Sequence, residues 1–477
     1  MAKEKKPLIR IDHLKQYFPV KKETLFSSEQ LFVRANDDVS LEIYEGETFG
    51  LVGESGCGKS TLGRSLLQLY TQTDGRTLYY GRSIYEVDPE YVLNILEKLP
   101  SLKKKSDELK ESQETARVRY EALDEGEEKF TALDVLKKAE TETRKAYLDL
   151  VKLIGAFILA EDMTPVSQIL TKEYNTAVAM YKNRDKKEES EKLEKEMESI
   201  KAKIDTMLDP YRNHPKFDEY QKHKDGGIDL TKLTEPEMRG LREDLQLIFQ
   251  DPYSSLNPRL TVGQIISEGL FTHNIYKQND PAVQEYVLKV MEQCGLAPYF
   301  IHRYPHQFSG GQRQRIGIAR SVALKPKFIV CDEAVSALDV SIQSQIINLL
   351  LDLKEQENLT YLFISHDLSV IKYISDRVGV MYLGNIVELA ETAELYSRPM
   401  HPYTEALLSA IPTTDVRKER NTEILEGDIP SPIKPPSGCK FHTRCKYATE
   451  ICRKVVPEFE EVVPGHFVAC HHKLNID

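Results

Sequence analysis

The sequence has no apolar run close to the roughly 20 residues that a membrane-spanning helix needs. The longest candidate, 153–160, is short and has a charged residue on either side. The chain starts Met-Ala-Lys-Glu-Lys-Lys-Pro and no apolar stretch follows, so the sequence predicts no secretory signal. We therefore expect a cytosolic protein that meets a membrane at most by docking on other proteins.

An excess of basic residues is also missing. The 477 residues include 64 Lys and Arg against 75 Asp and Glu, which gives a formal net charge of −11. A phosphate backbone attracts a basic protein face. The charge balance therefore argues against nucleic acid as the main partner.

Glycine almost disappears from one highly charged segment. Between 83 and 225 the chain has two glycines, Gly126 and Gly155, but 26 Lys and Arg and 32 Asp and Glu. Apolar residues keep a helical period there, which favours helices over a disordered charged loop. A spacing of alternately four and three residues, typical of an a/d seam, joins Leu193, Met197, Ile200, Ile204 and Met207. We predict an inserted helical hairpin or bundle over 83–225, with disorder near its end, over 213–227.

The chain on either side of this segment has an α/β pattern. Short apolar runs at 48–52, 328–331 and 361–365 lie next to glycine or acidic residues, and helical patterns separate them. Such runs are typical of buried parallel strands. Near Pro399 the composition changes again, because prolines and four of the seven cysteines cluster beyond it. We expect an α/β main domain followed by a separate C-terminal extension.

The segment Gly-Glu-Ser-Gly-Cys-Gly-Lys-Ser at 53–60 matches the eight-residue phosphate-binding loop, between a strand-like and a helical run. Its glycines let backbone N–H groups turn inward around phosphate oxygens, and the helix start adds a positive dipole end. Lys59 is expected to reach the β- and γ-phosphates, and the Ser60 hydroxyl to ligate Mg²⁺. The predicted nucleotide-binding residues here are Gly53, Ser55, Gly56, Cys57, Gly58, Lys59, Ser60 and Thr61.

A nucleotide site also needs a carboxylate on an adjacent strand, and Phe-Ile-Val-Cys-Asp-Glu at 328–333 supplies two. Asp332 is predicted to hold Mg²⁺ through water, and Glu333 to activate the attacking water. In-line phosphoryl transfer depends mainly on positioning and charge neutralisation, so these few groups suffice. Strands often end in acidic residues, so the prediction depends on the phosphate-binding loop being present as well.

The sequence Phe-Ser-Gly-Gly-Gln at 308–312, followed by Arg-Gln-Arg, resembles the signature motif of the ABC ATPases. The resemblance implies a P-loop ABC-type α/β fold that works as a head-to-tail dimer. It also implies that the start of the signature helix faces the γ-phosphate held by the other subunit. The implied signature residues are Ser309, Gly310, Gly311 and Gln312.

Other landmarks of the ABC family occur in the expected order. Gln250 resembles the Q-loop glutamine, which senses the γ-phosphate, helps to place Mg²⁺ and touches the permease. Asp339 in Ser-Ala-Leu-Asp resembles the D-loop, and His366 in Ile-Ser-His-Asp resembles the switch histidine. Phe18 stands where the family has an aromatic residue that stacks on adenine, with Tyr17 as the alternative. The resemblance implies ATP hydrolysis with Mg²⁺, in which Glu333 is the catalytic base, Lys59 and Gln250 position phosphate and Mg²⁺, and His366 stabilises the γ-phosphate.

Longer stretches are similar to the ATPases of dipeptide/oligopeptide importers, and the phosphate-binding loop is closest to their F-type subunit. The similar stretches are 249–259, 304–315, 336–343 and 401–412. The resemblance implies an ABC nucleotide-binding domain over 1–82 and 226–395 (helical subdomain about 254–325) and an oligopeptide-transporter-type extension over 396–477. The segment predicted from its residue pattern to be an all-α charged insertion, 83–225, interrupts this domain. Two features depart from the family pattern: the insertion, and Ala334 in place of the usual proline.

The same resemblance implies a role in peptide import at the cytoplasmic face of the cell membrane. The implied partners are a paralogous ATPase subunit, two transmembrane permease subunits and an extracytoplasmic peptide-binding protein. Nickel, glutathione or another small solute remains an alternative cargo. A soluble ABC protein acting on ribosomes or DNA is disfavoured by the single phosphate-binding loop and the acidic chain. The insertion is either a docking or regulatory module or a passively tolerated loop.

The extension contains four cysteines, Cys439, Cys445, Cys452 and Cys470, which lack the paired spacing of a zinc ribbon. Clustered thiols in a reducing compartment still favour a metal centre over disulfides or free thiols. In the resembling importers these positions carry a 4Fe-4S cluster, which we expect here, with zinc as the alternative. His442, His471 and His472 are possible substitute ligands.

Overall fold

The structure is a computed structural model that describes residues 5–21, 30–123, 127–411 and 427–476. The start of the chain, on which the secretory-signal prediction depends, and part of the predicted extension, 412–426, lie outside the described residues. The chain forms two compact units: Met1–Gly81 together with Met238–Asp477, and Arg82–Glu237. The second unit begins one residue before and ends twelve residues after the predicted insertion.

The bounds of the elements are as follows. The strands are β1 (Pro7–Pro19), β2 (Phe32–Tyr44), β3 (Thr48–Val52), β4 (Asp74–Tyr79), β5 (Ile228–Asp229), β6 (Leu245–Ile248), β7 (Phe328–Asp332), β8 (Thr360–Ile364), β9 (Arg377–Tyr382), β10 (Asn385–Glu391), β11 (Glu460–Val463) and β12 (His466–Val468). The helices are α1 (Lys59–Leu66), α2 (Ile84–Val87), α3 (Glu90–Glu97), α4 (Leu99–Glu121), α5 (Glu127–Ile154), α6 (Met163–Lys182), α7 (Lys187–Leu208), α8 (Phe217–Lys222), α9 (Glu235–Leu241), α10 (Val262–Thr272), α11 (Ala282–Gln293), α12 (Gly310–Val322), α13 (Val340–Glu357), α14 (Leu368–Ile374), α15 (Thr392–Ser397), α16 (Pro402–Ser409) and α17 (Glu450–Lys454).

A sheet of eight strands, in the order β11-β12-β10-β9-β3-β8-β7-β6, organises the first unit. Neighbouring strands run parallel from β9 to β6, and β10, β12 and β11 continue the sheet in antiparallel fashion. Every residue of β3, β7 and β8 is buried, because helices cover a parallel sheet on both faces. The three apolar runs that predicted parallel strands form these three strands, so the prediction of an α/β domain is confirmed.

Two further features of the first unit frame the site. Strand β1 pairs antiparallel with both β2 and β4, which places 17–18 near one end of a second sheet. Helices α10, α11 and α12 lie in the range predicted for the helical subdomain. Their apolar faces, with Ile266, Met291 and Ile316 buried, share a hydrophobic core with the eight-stranded sheet.

The C-terminal part of the chain adds to the eight-stranded sheet. Strand β12 pairs with β10, and β11 pairs with β12. Where β12 pairs with β10, the carboxylate of the buried Glu388 contacts the ring Nε2 of the buried His466 at 2.7 Å. The predicted extension is thus continuous with the sheet through these strands.

The second unit consists mainly of helices with their own core. The predicted a/d seam lies on α7, where Met197, Ile200 and Ile204 are buried, so the predicted helix is confirmed. The prediction of disorder near 213–227 is wrong, because α8 forms there and its Tyr220 is buried against the ring of Tyr147, 5.9 Å away. Across the described residues of both units, no helix is both long and apolar enough to span a bilayer.

Candidate functional site

The predicted catalytic residues follow strands whose carboxyl ends meet at one edge of the parallel sheet. The phosphate-binding loop follows β3, Gln250 follows β6, Glu333 follows β7 and His366 follows β8. Ligands of open α/β sheets bind at the carboxyl ends of the strands. The chain therefore brings residues from distant positions in the sequence to one side of the sheet.

The phosphate-binding loop has the backbone that its glycines allow. Gly58 has a φ of 105° and stands immediately before α1, and its carbonyl oxygen accepts a hydrogen bond from the Asn36 side chain at 3.0 Å. The Lys59 ammonium is buried and donates to the carbonyl oxygens of Gly53 at 2.7 Å and Glu54 at 3.0 Å. Burial raises the pKa of the Cys57 thiol in the same loop, against the opposing influence of Lys59.

Two of the three predicted Mg²⁺ ligands, Ser60 and Asp332, are in direct contact. The Ser60 hydroxyl donates to the Asp332 carboxylate at 2.5 Å, and the other carboxylate oxygen accepts from Arg64 at 3.2 Å. Asp332 is buried at the end of β7, whereas Arg64 comes from the same helix as Ser60. Hydroxyl and carboxylate oxygens are ligands that Mg²⁺ prefers, so this pair fits such an ion.

Glu333 contacts both Gln250 and His366, the other two predicted catalytic residues. Its carboxylate accepts a hydrogen bond from the Gln250 side-chain amide at 2.7 Å and lies 3.5 Å from Nδ1 of His366. Its backbone is in the left-handed region, with a φ of 48°, which is a strained conformation for this residue type and one that clusters at functional sites. This turn directs the chain out of β7 while Asp332 stays in the strand.

The signature and D-loop residues cap two helices. Ser309 precedes α12 and forms a capping box with Gln312, while Gly310 and Gly311 form the first turn. Asp339 precedes α13 and accepts hydrogen bonds from the Ser341 hydroxyl and the Ile342 N–H, which together lower the pKa of its carboxyl group. Ser309 is exposed.

The two candidate adenine-stacking residues differ in their side-chain contacts. The Tyr17 hydroxyl donates to the Asp37 carboxylate, whereas the Phe18 ring packs edge-on against Tyr70, 5.3 Å away. Successive residues of a strand point to opposite faces. Phe18 and Tyr17 therefore cannot both stack on one base.

The four cysteines of the extension line one small cavity of about 10 Å³, together with His401, Pro402, Phe441, His442, His471 and His472. Even so, within the ranges that the structure describes, no three His, Cys, Asp or Glu side chains are arranged to hold a metal ion. The expectation of a formed 4Fe-4S or zinc site is therefore not supported by these side-chain positions. The cysteines converge because β12 and α17 bring Cys470 and Cys452 to the loop that contains the other two.

Two cations near the cysteines pair with carboxylates in the phosphate-binding loop and on β2, contacts that the sequence did not predict. The Arg444 guanidinium donates to both carboxylate oxygens of Glu54, at 2.7 and 3.1 Å. The Lys440 ammonium donates to the Asp37 carboxylate at 2.9 Å. The only available sequence signal was their position next to cysteines, and nothing in the spacing connected them with a loop almost 400 residues earlier.

Comparison with known proteins identifies the family. The ABC transporter profile matches 36–199 and 217–336, and the profile of the oligopeptide/dipeptide transporter C-terminal region matches 387–452. The oligopeptide transport ATP-binding protein AppF of Bacillus subtilis is 36% identical over 473 residues, covering 98% of each chain. OppF of Haemophilus influenzae, with the same descriptive name, is 35% identical over 475 residues, again 98% of each. A Brucella ovis protein provisionally named as a peptide import ATP-binding protein is 56% identical over 244 residues, 51% of this chain and 76% of that one. The chain therefore belongs to the ATP-binding subunits of the oligopeptide/dipeptide ABC importers, enzymes that couple ATP hydrolysis to transport.

Proposed function

We propose that this chain binds and hydrolyses ATP to power the import of peptides at the cytoplasmic face of the cell membrane. It pairs head to tail with a paralogous ATPase subunit and acts through two transmembrane permeases, which an extracytoplasmic peptide-binding protein supplies. Support comes from the relatives named for oligopeptide transport and from the match to the oligopeptide/dipeptide transporter C-terminal region.

The contact of Glu333 with Gln250 and His366, beside the pair formed by Ser60 and Asp332, is the observation on which the proposed chemistry rests. Ser60, Asp332 and Gln250 would hold Mg²⁺, which neutralises charge on the β- and γ-phosphates. Glu333 accepts the proton of a water whose oxygen attacks the γ-phosphorus, while the bond to the β–γ bridging oxygen breaks. His366 donates to the γ-phosphate, and Lys59 exchanges its loop carbonyl partners for phosphate oxygens.

The second half of the composite site would come from the partner subunit. Ser309, Gly310, Gly311 and Gln312 present N–H groups and the N-terminus of α12 to the nucleotide of that subunit. Asp339 would contact the subunit interface, and Phe18 would stack on adenine. The exposure of Ser309 supports this arrangement.

The Glu333→Gln substitution tests the catalytic assignment. We expect hydrolysis to fall at least about a hundredfold, as general-base loss does, because an amide cannot accept the proton from water. ATP binding and ATP-dependent dimer closure should persist, since the hydrogen bonds to phosphate and Mg²⁺ are unaffected. ATPase assays and nucleotide-binding measurements on the full chain with its partner give both quantities.

The matched control is Glu355→Gln, on the exposed face of α13, which should leave hydrolysis unchanged. Normal turnover of ATP by Glu333→Gln would remove Glu333 from its proposed role. The cargo needs a separate measurement, which is uptake of labelled oligopeptides, nickel and glutathione by vesicles that contain the whole assembly. Uptake of nickel or glutathione without peptide uptake would contradict peptide import while leaving the ATPase intact.

We also infer that the four cysteines hold a metal centre, an iron–sulfur cluster by family resemblance, with zinc as the alternative. Their convergence on one cavity supports the inference. A cavity of about 10 Å³ is about the space of one water-sized probe, so a four-iron cluster would require the cysteine loops to move apart. When bound, such a centre would crosslink the segments of the chain that contain the four cysteines.

Metal analysis of the full chain, purified without oxygen, tests this inference. Iron and acid-labile sulfide in equal amounts would identify the cluster, and zinc alone would identify the alternative. Cys445→Ser should release the metal, whereas Cys294→Ser, at a buried cysteine in the core of the first unit, should retain it. Absence of both metals from freshly purified protein would overturn the inference.

A further inference from the structure

The segment between Cys439 and Cys445 connects the cysteine cavity with the nucleotide site. We refer to this segment, 439–445, as the cysteine-bounded loop. Both of its terminal cysteines line the cavity, and the Cys439 N–H donates to the Cys452 carbonyl oxygen at 2.8 Å. Lys440 follows the first cysteine and Arg444 precedes the last. Two cations are therefore held at fixed positions next to the anchored ends of one short loop.

Arg444 neutralises a carboxylate inside the phosphate-binding loop. Glu54 is the second residue of that loop, and both of its carboxylate oxygens accept hydrogen bonds from the guanidinium. The Arg444 side chain is only 5% exposed and that of Glu54 is 23% exposed, so the pair is screened from most of the solvent. A bidentate Arg–carboxylate pair of this kind fixes geometry as well as charge. Without the cation, a negative charge would stand beside the triphosphate that the loop is built to bind.

The backbone of Glu54 has a second contact with the same region. Its N–H donates to the Tyr403 hydroxyl at 2.9 Å. The buried Tyr403 ring packs 5.3 Å from that of Phe441, which belongs to the cysteine-bounded loop. Glu54 is therefore held through both its side chain and its backbone by residues that lie beyond position 400.

Lys440 makes an equivalent contact near the expected position of adenine. Its ammonium donates to the Asp37 carboxylate at 2.9 Å and to the Leu383 carbonyl oxygen at 3.0 Å. The same Asp37 carboxylate accepts the Tyr17 hydroxyl, in the residue that precedes Phe18. Both side chains of the ion pair are less than one-fifth exposed. The second cation thus supports the strand that presents the adenine-stacking residue.

We propose that Arg444 and Lys440 are positioning residues for ATP, and that the cysteine-bounded loop sets nucleotide affinity by holding them in place. Arg444 acts through Glu54 on the phosphates, and Lys440 acts through Asp37 on the adenine side. The inference rests on the proposed ATP site. Neither cation is a catalytic residue, because each acts through a carboxylate.

A double-mutant cycle at Arg444 and Glu54 tests the proposal on the full chain, with Mg²⁺-ADP binding measured by calorimetry. Arg444→Ala should weaken binding about tenfold, because it leaves the Glu54 charge unpaired beside the phosphates. Glu54→Gln should have little effect, and the double variant should bind within about threefold of the unsubstituted chain. If Arg444 had a merely structural role, the double variant would bind ADP at least as weakly as Arg444→Ala does. That result would overturn the proposal.

The kinetic readout is a split between KM and kcat in the assembled transporter. Arg444→Ala should raise the KM for ATP about tenfold and leave kcat within about twofold, because it removes ground-state binding rather than transition-state stabilisation. If Arg444→Ala does not fold, Arg444→Gln carries the same predictions with a smaller change of volume. A loss confined to kcat would overturn the proposal.

Two controls separate this inference from the proposed function. Arg453→Ala changes an exposed arginine next to another of the four cysteines, Cys452, and should leave ADP affinity unchanged. Lys59→Ala should abolish ADP binding if the phosphate-binding loop is the nucleotide site. Unaltered ADP binding by this variant would overturn both the proposed function and the positioning role. Unaltered affinity in Arg444→Ala together with loss of binding in Lys59→Ala would overturn the positioning role alone.

Discussion

At the scale of single residues, Gly58 shows how tightly the phosphate-binding loop packs. A Cβ atom at this position would lie 2.0 Å from the Ala35 carbonyl oxygen and 2.9 Å from the Asn36 amide nitrogen. Its φ of 105° is also one that residues with a Cβ rarely adopt. Any other residue must displace either the loop or β2, which would move the N–H groups that surround the phosphates.

We therefore expect Gly58→Ala to lower kcat/KM for ATP about a hundredfold, the usual effect of misplacing a site by about 1 Å. The matched control is Gly317→Ala within α12, where a Cβ meets nothing within 4 Å. That variant should keep its activity and gain about 0.5–1 kcal/mol of stability, since alanine is the better helix former. Steady-state ATPase assays measure the activity of the two variants, and thermal unfolding measures their stability. Equal activity of Gly58→Ala and Gly317→Ala would contradict the prediction.

Residue types at the site were predictable, but their pairings were not. Gln250, Glu333 and His366 could be selected because short motifs surround them, and Ser60 and Asp332 because Mg²⁺ chemistry requires them. The hydrogen bond between Ser60 and Asp332 joins residues 272 positions apart, and only the packing of α1 on β7 creates it. The contact of Arg444 with Glu54 spans 390 positions, and although Glu54 lies in the phosphate-binding loop, no motif marks Arg444 as its partner.

At the scale of elements, α7 shows what hydrophobic period alone can predict. Its charged residues face solvent, while Met197, Ile200 and Ile204 are buried in the second unit. Periodicity located this helix because the seam is its only apolar stripe. The helix α8 was missed because it is short and buries a single aromatic side chain, Tyr220, which leaves no period to detect.

Ile200→Ala should destabilise the second unit by about 2–5 kcal/mol, because it leaves a cavity where a 2% exposed side chain now packs. Hydrogen exchange of the amides in α6 and α7 measures the change as lost protection. Val118→Ala, on the exposed surface of α4 with 58% of the residue accessible, should change stability by no more than about 0.5 kcal/mol. Equal protection in the two variants would show that the seam does not stabilise this unit.

At the scale of the whole molecule, the second unit is a helical body with its own core inside a chain whose ABC transporter profile match covers 36–199 and 217–336. The 244 residues matched to the Brucella ovis relative make up 76% of that protein but only 51% of this chain, so the relative is the shorter chain. A unit with its own helical core can be added at a surface loop, since loop-closure entropy grows slowly with length. Its function is therefore separable from ATP hydrolysis by experiment.

We expect a chain lacking 83–225, with a short Gly/Ser linker in their place, to retain ATPase activity within about threefold, because loop insertions change closure entropy little. Peptide uptake by the assembled transporter, and the set of co-purifying proteins, should change if the insertion is a docking or regulatory module. ATPase, uptake and bound proteins that all match those of the full chain would identify a passive insertion. Loss of ATPase activity would contradict the independence of the two units.

The sequence by itself determined the α/β class, the parallel strands and the chemical identity of the ATP site. Those features depend on local patterns, in which a glycine-rich loop or an apolar run has the same meaning wherever it occurs. Tertiary structure decided which residues meet: Gln250 with Glu333, Lys440 with Asp37 and Arg444 with Glu54. Contacts of this kind depend on how a twisted sheet brings distant segments together, and a charged side chain acquires its partner only when folding places an opposite charge beside it.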